Sequence, residues 1–298
     1  MFVKRHRVTT DPRLRSLIQK AVRRGYTDVV EAASHRLYEY GDRTWLRSRA
    51  VVITFEECWP LAKHLSLEPG LESKLRVLQK VAQTTKQKDA AGLGSLAYAF
   101  SEGERGVLEF VPDVRAVEIV AEAVSQPKAF FDWIQARCQS AEALHIVDIA
   151  QRYLPAATWG WDKACIIAGA FLAATCTIPD CRHNSVTDGV FPYWVALDKH
   201  TPQGKAALRQ VAQENGISYR QLMWSSFYYE SAKVNAMEES PWWSAEKAWR
   251  LANAGIGITG AEELWNTYRN RVSEQLKSDA QHLQVLIETA NLVQPRLV

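Results

Sequence analysis

Residues 11–60 read DPRLRSLIQKAVRRGYTDVVEAASHRLYEYGDRTWLRSRAVVITFEECWP, and this stretch decides the fold class. Its apolar residues recur at spacings of three and four, beginning with Leu14, Leu17 and Ile18. That spacing places the apolar side chains on one face of a helix. The stretch therefore predicts amphipathic helices that pack together as a small bundle.

Helix-ending and helix-starting residues divide this stretch into three helices. Asp11 is followed by Pro12, a capping residue before a proline at the first helical position. Gly25 and Gly41 are suited to end the first two helices, because glycine adopts the left-handed conformation of a helix end. We expect the second and third helices to be capped by Asp28 and Asp42, and the third to be closed by Pro60.

The rest of the chain also reads as helical, without convincing alternation of the strand type. An all-α, multi-helix fold is therefore predicted, with a buried helix at 162–177. The polar stretch 84–94 is expected to be a mobile loop, and 178–192 a boundary between helical parts at 1–178 and 190–298. The remaining predicted helices are 71–83, 115–124, 129–138, 141–153, 203–215, 218–237, 244–253 and 260–291.

Composition places the chain among globular proteins. It has 298 residues, of which 47% are hydrophobic and 23% charged. The longest uncharged run, at 164–179, is shorter than the roughly 20 residues that a membrane-spanning helix needs. No apolar segment follows the basic residues 1–7, and the five cysteines do not form a disulfide framework. We therefore expect a cytoplasmic protein.

Basic residues are concentrated at the start of the chain. Twelve of the 36 Lys and Arg residues lie in the first fifty positions, against five of the 33 Asp and Glu residues. Arginine forks suit phosphate groups, so a DNA-binding surface is one interpretation. A solvated helix face with internal ion pairs is the other. The predicted DNA contacts in this region are Arg5, Arg7, Arg13, Arg15, Lys20, Arg23, Arg24, Arg47 and Arg49.

Several enzyme signatures are missing from the sequence. It contains no Gly-x-x-x-x-Gly-Lys-Ser/Thr phosphate loop and no Gly-x-Gly-x-x-Gly dinucleotide motif. It also lacks His-Glu-x-x-His and Gly-x-Ser-x-Gly. We therefore expect neither an ATPase nor a dinucleotide enzyme, a zincin or an α/β-hydrolase.

Residues 17–62 resemble the segment after the ATPase module in clamp-loader-like AAA+ proteins, the family of replication-associated recombination protein A and the Werner-helicase-interacting proteins. Where that family has a glycine after the acidic pair, this chain has Cys58-Trp59-Pro60. The segment FPYWVALDKHTPQGKAAL, at 191–208, resembles an A-x-D-x-H-T-x-x-G segment of small relatives. The matching positions of the first segment are Lys20, Arg23, Asp28, Arg36, Leu37, Gly41, Asp42, Trp45, Arg47, Arg49, Val52 and Glu56-Glu57.

The resemblance implies a clamp-loader-collar-like helical domain over 1–178 and a helical C-terminal subdomain over 190–298. In the family, this region forms tetramers and works with single-stranded DNA-binding protein at replication forks. The family's catalytic groups lie in the ATPase module, which has no counterpart in this sequence. We therefore expect an oligomer without catalytic residues, metal or cofactor.

Residues 254–261, AGIGITGA, fit the helix-hairpin-helix pattern, in which glycines let backbone amides approach a DNA phosphate. Gly255, Gly257 and the preceding Arg250 are the predicted contacts. Glu262 and Glu263 follow where the motif usually has basic residues, and a plain glycine turn between two helices is the alternative.

Three further groups of residues suggest other chemistry. Asp198, His200 and Glu230 are candidate ligands of a nuclease-type metal ion, although Asp198 and His200 could instead fix a turn before Thr201. Cys176, Cys181 and His183, with Cys165, have poor spacing for zinc, and free cysteine is usually core filler. Trp242-Trp243 could anchor a protein partner.

These observations predict a non-enzymatic accessory protein of DNA replication, recombination or repair, which oligomerises and binds single-stranded or forked DNA or a replication protein. The alternatives are a metal-dependent nuclease that uses Asp198, His200 and Glu230, and a pure protein-interaction adaptor.

Overall fold

The computed structural model describes residues 11–68, 70–184 and 196–291, with side chains to residue 288. Within these ranges the chain is all-helical, which confirms the predicted fold class, and its extended pairing is limited to isolated bridges. The helices are α1 Pro12–Arg24, α2 Thr27–Glu39, α3 Arg43–Cys58, α4 Leu71–Ala82, α5 Asp89–Ser101, α6 Val114–Ser125, α7 Pro127–Gln135, α8 Ala141–Tyr153, α9 Gly160–Thr175, α10 Pro202–Glu214, α11 Tyr219–Ser226, α12 Pro241–Asn253 and α13 Ile258–Asn291.

The opening three helices form where the sequence predicts them. The Asp11 carboxylate accepts a hydrogen bond from the Arg13 amide, and Gly25 ends α1 with a φ of 83°. Two expected caps differ. Tyr26 occupies the cap position of α2, which leaves Asp28 inside the first turn. Asp42 occupies the cap position of α3, but its carboxylate binds Arg15 instead of a helix amide.

Helix α9 is the buried helix that the uncharged run predicts, and it packs closely against α5 and α3. A Cβ atom on Gly94 of α5 would lie 2.6 Å from the Cα atom of Cys165. A Cβ atom on Gly169 would lie 2.3 Å from the ring of Phe55. These glycines let the helix backbones approach more closely than larger residues would allow.

The prediction of a mobile loop at 84–94 is wrong. Residues 84–88 are buried, and residues 89–94 are the first turns of α5. The Thr85 amide donates to the Arg182 carbonyl, and the Lys86 ammonium donates to the Val81, Ala82 and Thr84 carbonyls. The Lys86 ammonium thus finds carbonyl acceptors inside the protein, and the buried Lys88 ammonium lies 3.0 Å from Glu57 Oε2.

One apolar core joins helices from both predicted parts of the chain. Its buried residues run from Leu14 in α1 to Ile287 in α13, and Trp249 of α12 belongs to it. Residues 185–195, which include much of the predicted boundary at 178–192, lie outside the described ranges. The division into 1–178 and 190–298 stays a prediction.

Helix α13 is the longest element and lies on the core along one face. Ala261, Trp265, Val272 and Leu276 are buried, whereas Glu262 and Arg269 are exposed. Among the described helices, none combines the length and the apolar character that crossing a membrane requires.

Candidate functional site

A buried ion network lies where α1, α3 and the start of α5 meet. The Arg23 guanidinium donates to Glu57 Oε1 at 2.7 Å and to Glu56 Oε1 at 2.9 Å. Lys88 Nζ lies 3.0 Å from Glu57 Oε2, and both of these side chains are fully buried. We refer to Arg23, Glu56, Glu57 and Lys88 as the buried ion network.

Glu57 stays ionised within the network because two cations contact it. Burial alone would raise the pKa of Glu57, but Arg23 and Lys88 outweigh burial and lower that pKa to about 2. The Arg23 guanidinium also donates to the Ser231 carbonyl at 2.7 Å. Removing one partner would leave a buried charge uncompensated, so the network's integrity matters to the fold.

The network continues into α9 through Arg49. Arg49 Nη1 lies 2.7 Å from Asp162 Oδ1, and its Nη2 lies 3.6 Å from Glu56 Oε2. These contacts connect α3 with the first turn of α9. Arg49, a predicted DNA contact, is therefore engaged in ion pairs within the protein.

Two further cations at the end of α1 bind the chain around residues 197 and 230. Lys20 Nζ donates to the Leu197 carbonyl, and burial lowers the pKa of Lys20 to about 8. Arg24 Nη2 donates to the Glu230 carbonyl at 2.6 Å and to Glu230 Oε1 at 2.5 Å. Helix α1 thus uses its basic residues to fix distant segments.

The predicted DNA contacts of the opening region fall into three groups. Arg5 and Arg7 lie outside the described residues. Lys20 and Arg23 are 3% and 6% exposed, so burial removes them from the expected phosphate contacts. The third group, to which Arg49 also belongs, is partly buried. Arg13 pairs with Asp11 and Asp279, Arg15 with Asp42, and Arg24 with Glu230, whereas Arg47 is half-buried on α3.

The three candidate ligands of a nuclease-type metal ion bind other groups of the protein. Asp198 Oδ1 accepts one hydrogen bond from the His200 amide at 2.7 Å, and it lies 3.0 Å from His200 Nδ1. Glu230 binds Arg24, and its Oε2 accepts from Trp265 Nε1 at 3.3 Å. Asp198 and His200 therefore fix the turn before α10, which is capped by Thr201.

The candidate zinc ligands are separated as well. Cys165 is buried in α9, Cys176 is exposed at the end of that helix, and Cys181 lies against Cys58. Across the described part of the chain, no three residues of the His, Cys, Asp and Glu types come together in a way that could hold a metal ion.

A cluster of aromatic and charged side chains lies between α11 and α12, and it was not predicted. Lys199 Nζ lies 3.4 Å from the centre of the Trp224 ring and 4.3 Å from that of Phe227. Burial lowers the pKa of Lys199 to about 7. Its partners are brought together by long-range packing that periodicity does not reveal.

Glu246 of α12 forms the polar centre of the same cluster. Tyr228 donates its hydroxyl to Glu246 Oε2 at 2.5 Å, and Ser95 of α5 donates to Oε1 at 3.0 Å. Arg250 Nε donates to the same Oε1 at 3.2 Å. Arg250, a predicted DNA contact, is thus partly engaged by its neighbour on α12.

The Trp242-Trp243 pair is held by the protein itself. A Cβ atom on Gly92 would lie 2.3 Å from the Trp242 carbonyl carbon, so the start of α12 is pressed against α5. The Trp243 ring packs on Tyr228 and lies 4.7 Å from Lys88 Nζ. Both tryptophans are half-buried, which leaves little of either ring to anchor a partner.

The glycine turn between α12 and α13 is a predicted DNA contact that the structure leaves accessible. Gly255 has a φ of 76°, and its carbonyl accepts a hydrogen bond from Gln221 Nε2 at 2.8 Å. Apart from Gly257 and its two chain neighbours, no heavy atom of the described residues lies within 4 Å of the place that a Cβ on Gly257 would take. We refer to residues 254–258 as the α12–α13 turn.

Basic and acidic side chains both surround this turn. Arg220 is exposed on α11, next to Gln221. Lys247 Nζ lies 4.0 Å from the Tyr229 ring, and the Tyr229 hydroxyl donates to the Ile258 carbonyl at 2.7 Å. Burial lowers the pKa of Lys247, while Glu262 acts in the opposite direction. The site therefore offers cations and the start of a long helix, with Glu262 as an opposing charge.

Comparison with known proteins gives no match, whether against family models, curated proteins or solved structures.

Proposed function

We propose that the protein is a non-enzymatic accessory of DNA metabolism that contacts a nucleic-acid backbone through the α12–α13 turn. The observation that carries the proposal is that Gly257, directly before α13, is exposed and has open space where a Cβ atom would lie. The first amides of a helix lack partners within the helix, and the dipole there favours a negative ligand. A phosphate group is of the size and charge that such an end binds.

The surrounding side chains support the same ligand. Lys247 supplies a cation near the turn, Arg220 precedes the Gln221 that binds Gly255, and neither cation belongs to the buried ion network. Gln221 holds the Gly255 carbonyl, so the turn has a fixed conformation before a ligand arrives. A fixed site loses less conformational entropy on binding than a loose one.

The opening helices have a different role in this proposal. Their resemblance to the collar region of clamp-loader-like AAA+ proteins suggests an assembly domain, and their cations are largely engaged inside the protein. We propose that α1–α3 act as the structural base from which the protein oligomerises and meets a replication partner.

The test is a binding titration with single-stranded and forked DNA at about 50 mM and about 200 mM salt, because phosphate contacts weaken steeply as salt rises. Gly257→Asp places a negative charge at the turn, and we expect it to weaken binding about tenfold, the equivalent of about 1.4 kcal/mol. Gly257→Ala is the matched control, because its added methyl group meets open space, and it should bind like the wild type.

A third variant tests the sign of the charge effect. Glu262→Gln removes the acidic neighbour of Lys247 and should strengthen DNA binding. Equal affinity of all three variants and the wild type would remove the turn from the proposal. Absence of binding at both salt concentrations would remove the DNA contact altogether.

The oligomer is tested separately by solution mass with and without forked DNA. A multimer is expected under both conditions. A monomer throughout the concentration range would overturn the assembly role of α1–α3. The DNA contact at the turn is judged only by the binding titration.

A further inference from the structure

Two cysteines that are far apart in the sequence meet beneath the end of α3. Cys58 Sγ lies 3.7 Å from Cys181 Sγ, and the two residues are separated by 123 positions. Cys58 is the last residue of α3 and is fully buried, whereas Cys181 follows α9 and is half-buried. The pair is thus in direct contact, and Cys181 is the more exposed of the two residues.

The backbone around the pair holds the two segments side by side. The Gln87 amide donates to the Glu57 carbonyl at 2.9 Å, and the Thr85 amide donates to the Arg182 carbonyl at 2.9 Å. Residues 84–87 therefore lie between the end of α3 and the segment that carries Cys181. A covalent bond between the sulfurs would join segments that are already adjacent.

We propose that Cys58 and Cys181 form a reversible disulfide when the protein meets a small disulfide of the oxidised-glutathione type. The inference does not depend on the proposed DNA contact. Reducing compartments keep most thiols free, but reversible, regulatory disulfides do occur there.

The two thiols differ in the way that such an exchange requires. The contact with Cys58, together with Lys63 and Lys80, lowers the pKa of Cys181. The contact with Cys181, together with burial, raises the pKa of Cys58. Thiolates are the attacking species in exchange, so Cys181 acts first and Cys58 second.

The small disulfide is the oxidant, and it accepts the two electrons that the protein thiols lose. The Cys181 thiolate attacks one of its sulfurs, which forms a mixed disulfide and releases one small thiolate. Cys58 then loses its proton and attacks Cys181 Sγ, which breaks the mixed disulfide and releases the second small thiolate. The protein loses two electrons and two protons, and the small disulfide is reduced to two thiols.

The experiment treats the folded full-length protein with oxidised glutathione and maps its cysteine peptides by mass spectrometry. Cys176→Ser is used as the background, because Cys176 is exposed and would react independently. We expect a linked Cys58–Cys181 peptide with the loss of two hydrogen atoms, reversed by dithiothreitol. The oxidised protein should also unfold at a higher urea concentration, because the bond closes a long loop.

Two further variants separate the steps. Cys58→Ser should accumulate glutathione on Cys181, because no second thiol is present to release it. Cys181→Ser should leave Cys58 unmodified, because Cys58 is buried. The proposal is overturned if the Cys176→Ser protein keeps glutathione on Cys181 without forming the linked peptide, or if both thiols stay free under these conditions.

Discussion

The basic side chains of α1 and α3 and those beside the α12–α13 turn have opposite environments. Arg23 of α1 is buried and paired with Glu56 and Glu57, and Arg49 of α3 pairs with Asp162. Arg220 is exposed and precedes the Gln221 that binds Gly255, and Lys247 is half-buried near the α12–α13 turn. A dense run of Arg and Lys in the sequence is therefore a poor guide to an anion-binding surface, because the fold buries Lys20 and Arg23 and pairs several of the other cations with carboxylates.

Breaking the buried ion network should give the largest effect. Arg23→Met leaves Glu56 and Glu57 without their guanidinium partner, so we expect a loss of about 3–5 kcal/mol in the free energy of unfolding. Urea unfolding measures this. Arg115→Met is the matched control, because the Arg115 side chain is 76% exposed and its replacement should change stability by less than about 0.5 kcal/mol. Similar effects of the two substitutions would contradict the structural role of the network.

Overpacking a close helix contact should have the next effect. Gly94→Ala places a methyl group 2.6 Å from the Cα atom of Cys165, so α5 and α9 must move apart. We expect a loss of about 1–3 kcal/mol. Gly257→Ala at the open turn should be close to neutral in the same urea experiment, since nothing lies near the added methyl group. Equal losses at both positions would mean that the turn is as closely packed as the core.

Acid should weaken the network in a defined window of pH. The pKa of Glu57 is about 2 in the folded protein, below its ordinary value of 4.5, so this group stabilises the fold fully above pH 4.5. The contribution is lost as the pH falls from 4.5 through about 2. Measured from pH 6 to pH 2, unfolding of Glu57→Gln should depend less on pH than that of the wild type. Parallel profiles would show that Glu57 is not held ionised by Arg23 and Lys88.

The smallest effect on stability is expected at the turn. Arg220→Gln removes an exposed cation and should change the free energy of unfolding by less than about 0.5 kcal/mol. Its DNA affinity should nevertheless fall, and the slope of log affinity against log salt should decrease by about 0.7 for a single strand. Lys128→Gln on α7 is the surface control and should bind DNA like the wild type. A loss of affinity that is the same for both variants would point to non-specific attraction.

Local signals in the sequence predict the local structure well. Asp11, Gly25 and Gly41 place the ends of α1 and α2 because capping and left-handed turns depend on adjacent residues. The uncharged run also predicts the buried α9, because a helix composed almost entirely of apolar and small residues is expected to be buried on all sides.

The candidate site is less predictable because its partners are distant in the sequence. Arg23 meets Glu57 across 34 positions, and Ser95 meets Glu246 across 151 positions. Nothing in the residues 84–88 themselves indicates that Lys86 and Lys88 find carbonyl and carboxylate partners inside the fold. Sequence alone predicts an exposed basic surface over the first fifty residues, because charged residues are usually exposed.

Hydrogen exchange of the full chain, measured by mass spectrometry with and without forked DNA, tests the central claim most directly. The account predicts that DNA slows exchange at residues 254–262. Exchange at residues 12–60 should be the same with and without DNA, because any protection from oligomerisation is present in both samples. Slower exchange confined to residues 12–60, with 254–262 unaffected, would contradict the claim that the α12–α13 turn is the nucleic-acid contact.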